Sequence, residues 1–191
     1  MNSYLNQSFK QIDFKINPLQ KGEYENCLFE NCDLSYANLN QFKFIECTFK
    51  NCDLSLAKLE NTVIQSIHFI ECKLLGLQFN KCNPFLLSFS FDGCIMNHAN
   101  FYSTKIKKTS FKSCQLHEVD FSDCDLSSSI FDKCDMSLAR FDQSNLEKAD
   151  LSTSFNYIID PTLNKIKKAK FALSQLPGLL IHFGVEIDLS L

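Results

Sequence analysis

From Tyr24 onward, the sequence returns to an apolar residue at every fifth position. The first series runs through Phe29, Leu34, Leu39, Phe44, Phe49, Leu54, Leu59, Ile64, Phe69, Leu74 and Phe79. After a slip of two residues, a second series runs through Phe91, Met96, Phe101, Ile106, Phe111, Leu116, Phe121, Leu126, Phe131, Met136, Phe141, Leu146 and Leu151. A period of five is neither the 3.6 of a helix nor the 2 of a simple strand. Each unit must therefore combine a short extended piece with a bend.

The composition of each unit supports this division. Two positions before most of the apolar residues stands a small or apolar one, as at Cys32, Ala37 and Cys52. Two inward residues separated by one outward residue fit the alternation of a strand, and the remaining, mostly polar residues must turn a corner. The chain has only five Gly, so these corners are not expected to be ordinary glycine turns.

A second period of 20 residues shows that four corners close one coil. It is carried by two ladders of predicted core residues, which are Phe29, Phe49, Phe69, Phe91, Phe111 and Phe131, and Cys32, Cys52, Cys72, Cys94, Cys114 and Cys134. The sequence therefore predicts an all-β solenoid, a right-handed quadrilateral β-helix in which each coil buries its apolar side against its neighbours. At about 4.8 Å per coil, the stretch from Phe29 to Leu151 forms a rod of roughly 29 Å.

Three segments are predicted along the chain. Residues 1–22 form an irregular N-terminal coil or cap, residues 23–159 the β-helix, and residues 160–191 a last coil with helices and a dimer segment. Within the last segment, Asp160-Pro161 is a helix-start signal and predicts a short helix over 162–168. Residues 169–171 resemble one more repeat unit, residues 174–183 a second helix that stops at Gly184, and residues 185–187 a closing strand.

Acidic residues are concentrated in one block of the chain. The net charge of the chain is only −3. Residues 117–160 hold ten acidic and three basic side chains, a net charge of −7. Residues 81–116 hold one acidic and five basic side chains, a net charge of +4. The predicted acidic surface consists of Glu118, Asp120, Asp123, Asp125, Asp132, Asp135, Asp142, Glu147 and Asp150, followed by Asp160. Such a surface can attract a cationic partner. The alternative is that aspartate simply suits the corners and the position before each central residue.

The ten cysteines all fall on small inward positions. The N-terminus has no signal-peptide pattern, which predicts a cytoplasmic protein with reduced thiols. The spacing of Cys27/Cys32 and Cys47/Cys52 could suit zinc, but buried cysteine also behaves as a small hydrophobe, and the repeat favours core packing. The histidines are expected on the surface, without carboxylate partners placed by the repeat.

Each of three further features has both a purely structural and a functional interpretation. Lys105, Lys107, Lys108 and Lys112 form a basic patch, which is either a solvated face or a nucleic-acid contact that lacks interleaved aromatic residues. The register slip over 83–90 is either a tolerated bulge or a projection that a binding partner recognises. The apolar residues Leu176, Leu179, Leu180, Phe183 and Val185 either cap the last coil or form a dimer interface.

The repeat has the A(D/N)LXX form and resembles the pentapeptide-repeat family. It stands as Ala37-Asn38-Leu39, Ala99-Asn100-Phe101 and Ala149-Asp150-Leu151, with Cys replacing Ala in Cys32-Asp33-Leu34 and Cys52-Asp53-Leu54. The tail, with a last repeat, an amphipathic helix and Phe183-Gly184-Val185, is similar to that of the topoisomerase-protecting subgroup, which includes the Qnr-type proteins and a microcin immunity protein. Qnr-type proteins carry long loops, whereas the only interruption here is at 83–90, which places the chain nearer the loop-less members.

The resemblance implies a C-terminal homodimer whose acidic rod mimics DNA and binds gyrase or topoisomerase IV. It implies no direct contact with nucleic acid or membrane. The alternative is a structural scaffold for another protein partner. No phosphate-binding glycine loop, nucleophile elbow or paired-carboxylate cleft is visible, and a filled core leaves no pocket. Neither enzyme activity nor a cofactor nor a metal is therefore expected.

Overall fold

The computed structural model describes residues 2–188 and shows a parallel β-solenoid of about eight coils, which confirms the predicted fold class. Met1 and residues 189–191, the outer ends of the predicted terminal segments, lie outside the described residues. Within residues 2–188 the strands are β1 (Asn2–Leu5), β2 (Ser8–Lys10), β3 (Gly22–Glu25), β4 (Leu28–Glu30), β5 (Lys43–Ile45), β6 (Thr48–Lys50), β7 (Val63–Gln65), β8 (Ile67–Ile70), β9 (Phe89–Asp92), β10 (Ser110–Lys112), β11 (Ile130–Asp132), β12 (Asp150–Leu151) and β13 (Lys170–Phe171).

The coils stack in register, with like positions of the repeat side by side. Strands β1, β3, β5 and β7 form one parallel sheet, and β2, β4, β6 and β8 to β13 form a second. Partners are 20 residues apart, as in Phe29 opposite Phe49. Single bridges join the other two sides, as between Asp120 and Arg140 and between Gln115 and Asp135.

The inward residues define four faces, which we call A to D in chain order. Face A includes Tyr24, Phe44, Ile64, Ile106, Leu126 and Leu146. Face B includes Phe29, Phe49, Phe69, Phe91, Phe111, Phe131 and Leu151. Face C includes Leu34, Leu54, Leu74, Met96, Leu116 and Met136, and face D includes Leu39, Leu59, Phe79, Phe101, Phe121 and Phe141. All of these side chains are buried.

Most corners are turned by a residue in the left-handed region, two positions after the central residue. Asn31, Tyr36 and Glu118 have φ of 55°, 59° and 56°, a conformation that costs a residue with a side chain roughly 1 kcal/mol. The N–H of the corner residue donates to a carbonyl of the next coil, as from Asn31 N to Lys50 O at 2.9 Å. This bond offsets the conformational cost, and so residues other than glycine can turn the corners.

Phenylalanines stack in ladders through the core. On face B, the ring centroids of Phe111 lie 5.1 Å from those of Phe91 and 4.7 Å from those of Phe131, with nearly parallel planes. In the C-terminal half, the rings of Phe101 and Phe121 on the opposite face D meet this ladder edge-on, at 88° and 83° to Phe111. Both arrangements are favourable for aromatic pairs. The two ladders fill the cross-section of the solenoid.

The small inward position favours a residue that is both small and able to donate a hydrogen bond. Cys52 Sγ lies 3.3 Å from Phe29 O in the preceding coil. Ser144 Oγ donates to Phe121 O at 2.7 Å from the same position of its own unit. The ten cysteines are all free and buried. Burial raises the pKa of Cys47 and Cys82 to about 12, which keeps these thiols protonated at neutral pH.

The predicted register slip is confirmed, and it lies on face A. Ile67 of β8 stands opposite Phe89 of β9, an offset of 22 residues in place of 20. The extra residues follow the 3₁₀-helix Phe79–Lys81 and form a bulge over 83–88, where the face A sheet ends. The bulge carries Phe85, which is 74% exposed, while Leu87 turns into the core.

Regular pairing begins near the start of the chain. Strands β1 and β2 pair with β3 and β4, and Asp13 bridges to Asp33. The segment 1–22, expected as an irregular coil or cap, therefore contains ordinary coil strands as far as residue 14. It departs from the repeat around Ile16 and Pro18, because proline has no N–H to donate to the next coil.

The predicted helix over 162–168 is wrong. Asp160 does accept hydrogen bonds from Thr162 N at 2.7 Å and Thr162 Oγ1 at 2.6 Å, but only one turn forms. Lys165 N then donates to Ser144 O at 3.0 Å and Lys165 bridges to Asn145. A helix this short is unstable alone, so pairing with the preceding coil prevails. The repeat unit predicted at 169–171 is confirmed by strand β13.

The C-terminal helical segment packs on the last coil. It comprises the 3₁₀-helix Leu173–Gln175, the one-turn helix α1 (Pro177–Leu180) and the 3₁₀-helix Ile181–Phe183, and it ends at Gly184 with φ 64°. Leu179 is buried, and Ile159 N donates to Gly178 O at 3.0 Å. A Cβ at Gly178 would lie 2.1 Å from Tyr157 O, so this approach requires glycine. The expected strand over 185–187 is absent from this described segment, and none of the described helices is long and apolar enough to cross a membrane.

The Phe ladder predicts a large penalty for removing one ring. We expect Phe111→Ala to lower the free energy of unfolding by about 3–5 kcal/mol, because it leaves a cavity between two stacked rings. Phe85→Ala, at an exposed phenylalanine, is the control and should change it by less than about 0.5 kcal/mol. Urea unfolding followed by circular dichroism measures both values. Similar effects of the two substitutions would contradict the ladder as a source of stability.

Candidate protein-binding surface

The predicted acidic residues do not line a single strip. Winding distributes them over all four faces of the C-terminal coils: Asp125 and Glu147 on face A, Asp132 and Asp150 on face B, Asp135 on face C, Asp120 and Asp142 on face D, and Glu118 and Asp123 at the two corners of face D. Two residues adjacent in sequence can thus point to different sides. A block of charge in the sequence therefore becomes a ring of charge around the rod.

Four of these carboxylates help to form the corners. Oδ1 of Asp120, Asp125, Asp135 and Asp150 accepts a hydrogen bond from the backbone N–H two residues later, at 3.0 to 3.2 Å. Asp33 and Asp53 do the same in the N-terminal half, both at 2.9 Å. This Asx-turn arrangement stabilises the bend. Aspartate before the central residue therefore has a structural role throughout the rod.

The same four carboxylates also have a lysine, arginine or histidine from another coil as a neighbour. Arg140 Nη2 lies 2.9 Å from Asp120 Oδ2, Lys107 Nζ 3.1 Å from Asp125 Oδ2, Lys170 Nζ 3.0 Å from Asp150 Oδ2, and His117 Nε2 2.9 Å from Asp135 Oδ2. Partial neutralisation by Arg140, Lys107 and Lys170 leaves Asp120, Asp125 and Asp150 less able to attract a cationic partner.

The expectation that the repeat gives the histidines no carboxylate partner is wrong. His117 faces Asp135, and His98 Nδ1 lies 3.4 Å from Glu118 Oε2. The partners are 18 and 20 residues apart, which is close to the length of one coil. Stacking of successive coils creates these pairs, and the sequence signal for them is therefore the 20-residue spacing itself.

The carboxylates that remain available for binding lie mainly on and around face D. Asp123 and Asp142 are exposed, and the residues described contain no hydrogen-bonding or ion-pairing partner for either side chain. They are neighbours across adjacent coils, since Asp123 N donates to Asp142 O at 2.8 Å. Together with Glu118 and Asp120 they define what we call the acidic face. It faces solvent, and among the described residues its basic partners are Arg140, beside Asp120, and His98, beside Glu118.

Two further acids lie away from this face. Asp132 lies on face B, where its Oδ1 accepts a hydrogen bond from Thr153 Oγ1 at 2.9 Å. Glu147 lies on face A, a face that is rich in lysine. They contribute little to the acidic face.

The basic patch divides between two faces. Lys112 lies on face B, 2.9 Å from Asp92 Oδ2, whereas Lys105, Lys107 and Lys108 lie on face A. Three coils further on, the same face carries Lys165, whose column is traced by the bridges from Lys105 through Asp125 and Asn145. The coil thus unites lysines from two basic segments of the sequence.

Within residues 2–188, the cavity between the core side chains of Leu39, Phe49 and Phe79 measures only about 10 Å³, whereas the bulge creates a larger external cleft. A cleft of about 400 Å³ opens between the bulge and the next coil, lined by Phe79, Asn80, Cys82, Pro84, Phe85, Leu87, Ser103, Thr104 and Lys105. Within residues 2–188, no group of three or more histidine, cysteine or acidic side chains is arranged to hold a metal ion.

The predicted dimer residues separate into two groups. Leu179 is buried against the last coil, whereas Leu176, Leu180, Phe183 and Val185 are between 37% and 54% exposed. The cap interpretation therefore applies to Leu179, and the dimer interface stays a prediction for the exposed side chains. Leu179 caps the rod, and the others form an apolar surface at its end.

An apolar ridge on the N-terminal half was missed by the sequence analysis. Ile16, Tyr36 and Leu56 are exposed at the same corner of successive coils, and Tyr36 and Leu56 have φ of 59° and 57°. The signal was present, because the three residues are spaced by 20, and Leu138, 71% exposed, occupies the same corner position in the C-terminal half. Large apolar residues here add nothing to the core.

The geometry of the repeat agrees with comparisons to known proteins. A family model for the pentapeptide repeat region matches residues 23–85, 63–134 and 85–156. These matches span more than half of the chain, so the protein belongs to the pentapeptide-repeat family. Among curated proteins, no sequence match is found.

Solved structures give the same class. A trypsin-treated variant of QnrB1, a plasmid-mediated fluoroquinolone resistance protein, has a TM-score of 0.60 at 20% identity and covers 98% of this chain and 100% of its own. Full-length QnrB1 has a TM-score of 0.50 at 20% identity, and the match covers 96% of this chain and 100% of QnrB1. HetL is involved in heterocyst differentiation regulation in the cyanobacterium Nostoc sp. strain PCC 7120. It has a TM-score of 0.41 at 13% identity, and the match covers 87% of this chain and 86% of HetL. At these identities, the likeness to QnrB1 shows the fold alone.

The environment of Asp135 predicts a pH dependence of stability. Burial opposes ionisation, but hydrogen bonds from Ser137, Asn156 and His117 outweigh it and lower the pKa of Asp135 from 3.8 to about 2. A carboxyl with a lowered pKa in the folded state stabilises the fold above its unfolded pKa, and this contribution is lost as the pH falls towards the folded pKa. Asp135→Asn, which keeps the Oδ1 acceptor, should therefore lose less stability than the wild type between about pH 5 and pH 2.5. Urea midpoints at the two pH values measure this.

The matched control for this prediction is Asp142→Asn. That carboxylate has no partner among the described residues, so the pH dependence of the variant should equal that of the wild type. An identical loss of stability in the wild type and both variants would show that the bonds to Asp135 do not favour its ionised form.

Proposed function

We propose that the protein is a non-enzymatic binding protein that modulates or protects a type II topoisomerase, gyrase or topoisomerase IV, by mimicking DNA. The observation that carries this is the acidic face, where Glu118, Asp123 and Asp142 project from a rigid rod with little compensating positive charge. Carboxylates on a regular scaffold can occupy positions that phosphates take on a DNA-binding surface. The resemblance of the C-terminal tail to the topoisomerase-protecting subgroup guides the choice of enzyme.

The fluoroquinolone resistance protein QnrB1 supports this direction, because the two solenoids match over nearly their whole lengths. Resistance to such a drug is what protection of its target enzyme would produce. The proposed partner also places the protein in the cytoplasm, where thiols stay reduced.

The proposal predicts that binding is carried by carboxylates of the acidic face that accept no hydrogen bond from a corner N–H. The triple variant Glu118→Gln, Asp123→Asn, Asp142→Asn should raise the concentration needed for a half-maximal effect on gyrase about tenfold, or ~1.4 kcal/mol. Replacing Asp120, Asp125, Asp135 and Asp150 would be less informative, because those side chains also stabilise the corners. The measurement is DNA supercoiling by purified gyrase, titrated to micromolar protein with and without ciprofloxacin, and repeated for decatenation by topoisomerase IV.

The control removes the same charge elsewhere. Glu25, Glu46 and Glu71 are exposed on the N-terminal half and have no ion pair among the described residues, and their replacement by glutamine should leave the titration unchanged. If the wild type affects neither enzyme, or if both triple variants weaken equally, mimicry by the acidic face is refuted.

We also propose a homodimer formed through the C-terminal end. The exposed apolar side chains of Leu176, Leu180, Phe183 and Val185 lie beyond the last coil, where Leu179 already closes the core. A two-fold contact would use the same patch on both copies and would extend the rod past its end. Two acidic faces would then flank the centre of one longer rod.

The dimer predicts a change of mass from a double substitution. Leu180→Asp with Phe183→Asp should convert a dimer into a monomer, because it places four charges in a two-fold apolar contact. Light scattering coupled to gel filtration measures the mass. Phe85→Asp, at the exposed bulge, is the control and should remain dimeric. A wild-type monomer, or a double variant that is still dimeric, would exclude this interface.

The apolar ridge favours a second candidate, a scaffold for another protein partner. DNA mimicry needs charge, whereas Ile16, Tyr36 and Leu56 expose large apolar side chains that are typical of protein–protein contacts. If gyrase and topoisomerase IV do not respond, substituting Tyr36 with Ser provides a probe for this partner. The scaffold would be supported if the partner is no longer recovered in a pull-down with Tyr36→Ser but is still recovered with the acidic-face variant.

A further inference from the structure

The lysines of face A form a continuous basic surface in the C-terminal half of the rod. It comprises Lys105, Lys107, Lys108, Lys148, Lys165, Lys167 and Lys168, all exposed, and we call it the lysine face. Within residues 2–188, six of them have no carboxylate in ion-pairing distance, and only Lys107 has one, Asp125. With Asp125 and Glu147 as the two acids on this half of the face, seven positive and two negative charges give a local net of +5 in a chain of net −3.

The external cleft lies at one end of the lysine face. Lys105 forms part of its wall, and Phe85, 74% exposed, forms part of the opposite wall on the bulge. Tyr102, also exposed, precedes Ser103 of the same wall. The structure therefore places one exposed aromatic residue, Phe85, in the same cleft as Lys105, although the sequence shows no aromatic residue interleaved with the lysines.

Polar groups also line the cleft. Ser103 and Thr104 belong to its wall, and so does Asn80, whose Oδ1 is shielded from solvent and accepts no hydrogen bond within the described part of the chain. A shielded acceptor without a donor is costly. A ligand that brings an N–H group into the cleft would satisfy it, whereas an alkyl chain would not.

We propose that the lysine face binds single-stranded nucleic acid. One unpaired base enters the cleft and stacks on Phe85, and the phosphates pass Lys105 and Lys108 and continue towards Lys165 and Lys168, three coils or about 14 Å along the rod. Aromatic platforms beside a basic track are the features that hold single strands, because the faces of the bases are free to stack. In a duplex those faces are covered by neighbouring bases.

The chemistry of the cleft favours nucleic acid over an anionic membrane. Lipid docking needs apolar groups that insert together into the acyl region. Here Phe85 lines a cleft with hydroxyl and amide groups, and the lysines extend away from it across a flat face. The lysine face shares no charged residue with the acidic face, so this proposal stands independently of the proposed topoisomerase interaction.

The test is fluorescence anisotropy with labelled oligothymidylate of about 15 nucleotides at about 50 mM salt, where phosphate contacts are strong. Parallel titrations use oligouridylate, a DNA duplex of the same length and vesicles containing phosphatidylserine. We expect micromolar binding of one or both single strands, at least about tenfold tighter than the duplex. The two single strands distinguish DNA from RNA as the source.

Matched variants locate the site. The triple variant Lys105→Gln, Lys165→Gln, Lys168→Gln should weaken binding at least about tenfold and lower the slope of log K against log salt by about 2, since each phosphate contact on a single strand contributes about 0.7. The control Lys58→Gln, Lys73→Gln, Lys133→Gln has the same net charge, with changes at exposed lysines away from face A, and should bind like the wild type. Phe85→Ala should weaken binding about tenfold without changing the salt slope.

Circular dichroism and thermal unfolding establish that the variants are folded, as expected for exposed positions. Equal weakening by the two lysine triples, equal affinity for duplex and single strands, or binding to vesicles but to neither oligonucleotide would overturn the proposal. If Phe85→Ala binds as tightly as the wild type, no base stacks on Phe85 in the cleft, and the stacking role is overturned.

Discussion

The hydrogen bond between the backbones of successive coils is the interaction on which this structure depends. It holds most corner residues in the left-handed conformation, as in the bond from Tyr36 N to Ser55 O at 2.9 Å. A corner without that bond would bear the full conformational cost of its positive φ. Because each coil holds the corners of its neighbour, regularity extends along the rod, and the chain can use asparagine, serine, lysine or even tyrosine at the bends. The same bonds draw the segment 162–168 into one more coil, although its sequence starts like a helix.

What the sequence predicts well is what this repetition dictates. A period of five within a period of 20 specifies the inward residues, the four faces and even the slip before Phe91, because a single misplaced residue would turn apolar side chains outward. The ends are less predictable. Local signals such as Asp160-Pro161 compete there with pairing to one neighbouring coil, and the outcome depends on hydrogen bonds such as that from Lys165 to Ser144. Residues 185–187 do not pair as a strand, and after β13 the described chain forms the helical segment that packs on the last coil.

Surface function is harder to predict because winding separates neighbours in sequence and joins residues one or more coils apart. The acidic block of residues 117–160 is prominent in the sequence, yet four of its aspartates form corners and stand next to basic groups of other coils. The interpretation of aspartate as a corner former is confirmed for residues such as Asp120, whereas the functional acidic surface stays a prediction. It depends on Asp123 and Asp142, whose side chains have no partner among the described residues. The lysine face shows the reverse, because Lys105 and Lys165 meet on one face only through the three coils between them.

The two charged surfaces meet at one edge of the rod, and this arrangement limits how a partner can approach. The acidic face lies on face D, the lysine face on the adjacent face A, and Asp123 lies at the corner between them. A partner with a positive groove is attracted by face D and repelled by face A, so the rod would dock with a defined rotation about its axis. Charge opposition of this kind selects orientation more than it adds affinity. Face A would then point away from such a partner and remain accessible, and therefore the two proposed interactions do not compete for the same side of the molecule.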